Sequence, residues 1–130
     1  MKDIIFLRLE DILLFYQEEM KQAGAKPQIR DKKTLDSALH APQATFQGKF
    51  LMNIFEMAAT YANSICFNHP FLDGNKRVAA ISSIAFLYLN GYELNEKHSE
   101  ELADTILLLV NKKLQKADLA KYFKTHSIRL

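Results

Sequence analysis

Val78-Ala79-Ala80-Ile81-Ser82-Ser83-Ile84-Ala85-Phe86-Leu87-Tyr88-Leu89 is the most apolar stretch of the chain. Wound as a helix, it carries apolar residues around nearly its whole circumference, the mark of a helix enclosed on all sides. It contains two serines and is shorter than the roughly 18 residues a membrane span needs. The spacing therefore predicts a central core helix over residues 75–90, closed by a left-handed cap at Asn90-Gly91. Such a helix needs other helices to cover it. The expected fold is all-α, a bundle around one buried central helix.

The flanking sequence supplies the cover. Leu9, Ile12, Leu13, Tyr16 and Met20 recur at helical spacing, so residues 9–22 read as an amphipathic helix stopped by Gly24. Asp31 is placed to cap a short helix carrying Leu35, Ala38 and Leu39, which Pro42 ends. Residues 51–67 have a broad apolar arc and read as a mostly buried helix. Ser99 is placed to cap a helix whose buried face is Leu102, Ala103, Ile106, Leu107 and Val110. A last short helix is expected over 115–124. Residues 41–50 follow neither period cleanly and read as a loop or short hairpin. Ile4 to Leu7 and Tyr92 to Leu94 are candidate short strands.

Composition narrows the class. The 130 residues are expected to form one domain, long enough to bury a core. Apolar residues are 48% and charged ones 25%, a globular balance. With 17 basic and 15 acidic residues, the net charge of +2 gives no electrostatic footprint for nucleic acid or an anionic membrane. The single cysteine, Cys66, rules out an internal disulfide and reads as a packed small hydrophobe. The apolar run at the start is too short for a signal peptide and is interrupted by Arg8 and Glu10. A cytoplasmic location is expected.

The chemistry concentrates in the loop before the central helix, Asn68-His69-Pro70-Phe71-Leu72-Asp73-Gly74-Asn75-Lys76-Arg77. A helix N-terminus carries backbone N–H groups without partners and a partial positive charge. Acidic residues are usual there, but this first turn holds Lys76 and Arg77. Two cations at that end are unfavourable unless an anion joins them. Gly74 lets backbone approach a ligand, and Asn75 can cap the helix and donate an amide N–H. Together they form a candidate phosphate site. Asp73 can hold Mg²⁺, which takes one or two carboxylates plus phosphate oxygens. His69 is the candidate general base, and Phe71 a structural anchor into the core. The plainer reading is an ordinary helix–helix turn, with His69 favoured by the preceding helix's dipole and the two cations solvated.

The run His69 to Arg77 resembles the signature loop of the Fic/Doc superfamily, His-x-Phe-x-(Asp/Glu)-Gly-Asn-x-Arg. It is most similar to the death-on-curing (Doc) branch, in which Asn-Lys-Arg replaces Asn-Gly-Arg. The resemblance extends through Arg30-Asp31, Leu35 to Leu39, Ala41 to Ala44, Phe55 to Tyr61 and Phe86 to Gly91. It implies the helical Fic core, with transfer of part of a nucleotide to a protein hydroxyl. On that basis His69 removes the hydroxyl proton, Asp73 holds Mg²⁺, and Gly74, Asn75, Lys76 and Arg77 hold the phosphates of ATP. Thr45, Phe46 and Gln47 fall where the family has a flap that aligns the target, although a plain surface loop reads equally well.

Two departures from the adenylylating branch stand out. Lys76 replaces a glycine, and Ala80 stands where that branch has a second arginine. Lysine obstructs close phosphate approach, and loss of the arginine removes a bidentate clamp. The Doc branch shares both changes, which implies γ-phosphate transfer to a target such as elongation factor Tu. Gly74, where that branch can have alanine, keeps adenylyl transfer as the alternative. A non-catalytic nucleotide-binding or interaction domain is the third. No Ser or Thr has Glu four residues on, so the inhibitory helix of many Fic proteins is not evident. The resemblance implies instead a separate Phd-like antitoxin.

Among the remaining candidates, Glu56 reads either as a carboxylate orienting the loop or Arg77, or as a rim residue. His40, His98 and His126 have no metal-site spacing and are expected to face solvent. The cluster Lys112, Lys113 and Lys116 is expected to be a solvated helix end.

Overall fold

The computed structural model describes residues 3–94, 99–111 and 114–130. In chain order the elements are α1 (Leu9–Ala23), α2 (Lys32–His40), a single 3₁₀ turn (Ala41–Gln43), β1 (Thr45–Phe46), β2 (Lys49–Phe50), α3 (Ile54–Asn68), α4 (Asn75–Leu89), β3 (Tyr92–Leu94), α5 (Ser99–Val110), α6 (Lys116–His126) and β4 (Ser127–Arg129). The fold is a helical bundle with two small antiparallel strand pairs.

Two apolar helices form its centre. α4 buries Val78, Ala79, Ser82, Ser83, Phe86 and Leu87, but Tyr88 and Leu89 at its end are exposed. α3 is the more enclosed of the two. Every residue from Met57 to Ala62 is buried, as are Ile65 and Cys66, and α2, α4, α5 and α6 all pack on it. Its alanines, Ala58, Ala59 and Ala62, let the neighbouring backbones come close. The buried Ser83 Oγ donates to the Ala58 carbonyl at 3.0 Å and so ties α4 to α3. α1 covers the other side of α4 with Ile12, Tyr16 and Met20.

Local chemistry sets the boundaries. Asp31 caps α2, its Oδ1 accepting from the backbone of Lys33 at 2.9 Å and Thr34 at 3.3 Å. α3 starts at Ile54, three residues later than its apolar pattern suggests. Asn53 and Glu56 form a reciprocal capping box there, with bonds of 2.8 and 2.9 Å. Leu51 is left outside the helix and exposed. Glu56 is thus a cap residue, remote in role from the loop or Arg77. Residues 44–51 form a hairpin whose turn, Gln47-Gly48, is left-handed at both positions (φ 52° and 77°), as a two-residue hairpin turn requires.

Other expectations are corrected. Ile4 to Leu7 is not a strand. Asn90 instead accepts from the Ile5 N–H and donates to the Ile5 carbonyl, both at 2.9 Å, taking the place of a strand partner. β3 pairs with β4, with Glu93 opposite Ile128, a strand that follows α6 directly. α5 buries Leu102, Ile106 and Leu109, while Leu107 is exposed. The side chains of Ala103 and Val110, and residues His98, Lys112 and Lys113, lie outside those described. Lys116 is exposed at the start of α6. His40 is exposed, whereas His126 is half-buried against the Tyr122 ring. Among the described residues, no helix is long and apolar enough to cross a membrane.

Candidate active site

The loop between α3 and α4 is built from its anchors. Phe71 is fully buried and stacks on Tyr16 of α1, the centroids 3.9 Å apart and the planes 12° from parallel. The Tyr16 hydroxyl accepts from the Gln28 N–H at 2.6 Å and donates to the Gln28 carbonyl at 2.9 Å. That carbonyl also accepts from the Leu72 N–H at 3.0 Å, and Ile29 bridges Phe71 in antiparallel fashion. Segment 28–31 is therefore a backing strip for the loop. Phe71 is thus seated in the core against α1.

Asn75 closes the loop from the other end. Its Oδ1 accepts from the Phe71 N–H at 3.1 Å, and its Nδ2 donates to the Phe71 carbonyl at 2.9 Å. Both ends of the side chain are used, so it does not cap α4; Gly74 occupies the N-cap position. What Asn75 offers a ligand is its backbone N–H. Gly74 adopts φ +83°, and a Cβ built on it would stand 2.8 Å from Met20 Cε. Alanine there would need both a left-handed backbone and a shift of Met20.

His69 caps α3 in a left-handed conformation, φ 47° and ψ 56°, which costs a residue with a side chain about 1 kcal/mol. The turn carries its imidazole out of the helix and into the open. Glu19, His69, Asp73, Gly74, Lys76 and Arg77 border one cleft of about 530 Å³, with Met20, Cys66 and Leu72 as apolar wall. One oxygen of Asp73 accepts from the Gly74 N–H at 2.8 Å. Cys66 is buried, which pushes its thiol pKa up to about 12 against the opposing pull of the Lys76 charge. It is a packed, protonated thiol. Tyr61, in the core, is likewise pushed up to about 12 by burial, though its hydroxyl accepts from the Leu7 N–H at 3.1 Å.

Two participants were not anticipated in these roles. Glu19 of α1 pairs with Arg77, Oε1 to Nε at 3.3 Å, with the carboxylate largely enclosed and the guanidinium largely exposed. Its signal was faint: it flanks the buried Tyr16–Met20 stripe at helical spacing. Arg30 donates from Nε to the His69 carbonyl at 2.7 Å and from Nη2 to the Asn68 carbonyl at 2.9 Å. Nothing in the period of its segment marks it. The hairpin residues Thr45, Phe46 and Gln47 are exposed and do not border the cleft. The hairpin is fixed to the body through Phe50, edge-on to Phe6 at 5.4 Å.

Comparison with known proteins agrees with this architecture. The sequence profile of the Fic/DOC family matches residues 6–87, a span that runs from before α1 nearly to the end of α4. The chain belongs to the Fic/DOC family. It is 33% identical over 85 residues to Toxin Doc of Mycolicibacterium smegmatis, a match covering 65% of each chain. It is 30% identical over 95 residues to Protein kinase doc of Escherichia phage P1, covering 73% of this chain and 74% of that one. The first match thus spans just under two thirds of the relative's length. Like the profile, this chain keeps the loop together with the helices on either side of it.

Proposed function

We propose that this chain is the toxin of a toxin–antitoxin module, a Doc-like protein kinase of the cytoplasm. It would transfer the γ-phosphate of ATP to a hydroxyl side chain of an elongation factor Tu-like target and so arrest translation. The observation that carries the reading is the gathering of an imidazole, two carboxylates and two cations on one cleft at the N-terminus of α4. The names of the two relatives, a toxin and a protein kinase, support it.

In this reading the γ- and β-phosphates lie at the start of α4. The backbone N–H of Asn75 donates to them beside the close-approaching Gly74 backbone, whose own N–H is held by Asp73, and Lys76 and Arg77 neutralise them. Mg²⁺ fits the donor set: Asp73 is an exposed single carboxylate with one oxygen already oriented by Gly74, so the ion would be shared with the phosphates. Bound there, it would offset charge on the phosphate oxygens. His69 takes the proton of the target hydroxyl as that oxygen bonds to the γ-phosphorus. The bond from the γ-phosphorus to the bridging oxygen breaks, and ADP leaves with the electron pair. The exposed hairpin carrying Thr45, Phe46 and Gln47 is a surface on which a target segment could align. A Phd-like antitoxin is the proposed partner.

Adenylyl transfer is the second reading, kept by Gly74. A left-handed φ of +83° gives that glycine a backbone reason independent of nucleotide orientation, while Lys76 and Ala80 both favour γ-transfer. ATP labelled at the α or the γ phosphate, incubated with the protein and a cell extract, separates the readings. Label on protein from γ is expected. Label from α would replace kinase by adenylyl transferase. Label from neither would leave a non-catalytic nucleotide-binding or interaction domain.

A further inference from the structure

We propose that Arg30 is a positioning residue for His69, an inference that rests on reading His69 as the proton acceptor. The last carbonyls of a helix have no partners within it. At the end of α3, Arg30 supplies them. Its side chain holds the carbonyls of Asn68 and His69 at 2.9 and 2.7 Å, and its backbone N–H holds that of Pro70 at 2.8 Å. One residue thus fixes three consecutive peptide planes around the imidazole.

Those planes determine where the ring points. His69 sits at φ 47° and ψ 56°, a region that residues with side chains seldom occupy. Rotation back to an ordinary conformation would swing its carbonyl away from the guanidinium. It would carry the imidazole away from the start of α4. Both bonds are charge-assisted and come from one rigid fork, so they resist that rotation better than a single neutral bond.

The fork is itself held. Gln28, two residues before, is clamped by the Tyr16 hydroxyl. Asp31, the next residue, has Oδ1 bonded to Lys33 and Thr34 at the start of α2. Among the described residues no carboxylate pairs with Arg30, so its charge is directed at the carbonyls alone. Arg30 does not itself border the cleft; it reaches the cleft through the backbone of His69.

The test compares Arg30→Ala and Arg30→Lys with the wild-type chain. γ-Phosphate transfer, ATP affinity by calorimetry and the imidazole resonances of ¹³C-histidine-labelled protein are measured for each, with the His69 signal assigned through His69→Gln. Arg30→Ala should lower kcat about 100-fold and leave ATP affinity within about two-fold, because the phosphate cradle is untouched. The His69 resonance should shift or broaden while the other histidines keep theirs. Arg30→Lys, which retains the charge but loses the planar fork that presents two nitrogens to the two carbonyls, should show the same split at smaller size. It decides the matter if the alanine variant does not fold. Unchanged kcat, an unchanged His69 resonance, or an equal loss in ATP affinity and kcat would overturn the proposal. Should wild-type protein transfer nothing from ATP, the kinase reading fails by itself, and the His69 resonance still tests Arg30.

Discussion

Tyr16 and Phe71, 55 residues apart in sequence, stack with their ring centroids 3.9 Å from one another. Through this contact α1 sets the height of the loop between α3 and α4, and the Tyr16 hydroxyl sets the strip behind it. Tyr16→Phe keeps the ring, leaves the Gln28 N–H without its partner and takes one of two donors from the Gln28 carbonyl. It should destabilise the protein by about 1–3 kcal/mol, and Phe71→Ala by about 3–5 kcal/mol, both read from urea midpoints. A loss below about 0.5 kcal/mol for Tyr16→Phe would mean the clamp is not a supporting contact.

Glu19 brings a negative charge to a cleft assigned to an anion. A phosphate joining Arg77 must share the guanidinium with that carboxylate or displace it. Glu19→Gln is therefore expected to tighten ATP binding by a few-fold, about 0.5–1 kcal/mol, the scale of an ion pair with one exposed member. Calorimetric titration checks this. Weaker binding would show that the carboxylate holds Arg77 ready for the ligand instead.

Much of this arrangement can be read from the sequence, and the unread part has a common cause. The amphipathic stripes of α1 and α2, the apolar α4 and the loop from His69 to Arg77 are local patterns. Their meaning survives folding because periodicity and capping act over a few residues. β4 is different: Ser127-Ile128-Arg129 becomes a strand only because β3 is there to pair with it. The same holds for Asn90 beside Ile5 and for Arg30 beside His69, each joined by bonds across many residues. The enclosure of α3, greater than that of α4, follows from the packing of α2, α4, α5 and α6 on it, which only the assembled bundle decides. Glu56, open in the sequence between orienting the loop or Arg77 and a place on the rim, is an exposed residue whose partner stands three residues away.

Alkaline pH should unfold the protein ahead of general charge repulsion. Cys66 and Tyr61 have folded pKa values raised to about 12, from ordinary values of 9.0 and 10.0. Each prefers its neutral form when buried, so its contribution is whole below the ordinary pKa and is lost as pH rises towards about 12. Stability should be flat to about pH 9, then fall, with each group adding a slope of up to about 1.4 kcal/mol per pH unit. Urea midpoints between pH 8 and 11 measure it, and Cys66→Ala should delay the onset to about pH 10. An onset unmoved by that change would remove Cys66 from the account.

Lys76 is the residue on which nucleotide orientation is argued. Lys76→Gly removes a point charge from the first turn of α4 and opens backbone approach. Transfer from γ-labelled ATP should fall about ten-fold or more, in line with the loss of a charge-assisted contact to phosphate. Unchanged γ-transfer would mean the lysine does not set the orientation.

The central claim is that the N-terminus of α4 cradles nucleotide phosphates with the His69 imidazole as base beside it. The most direct measurement is the rate of γ-label transfer to target protein by wild type and His69→Ala at saturating ATP. The account predicts a loss of about 10²–10⁴-fold in the variant on an unchanged fold. A variant that transfers the label as fast as wild type would contradict it.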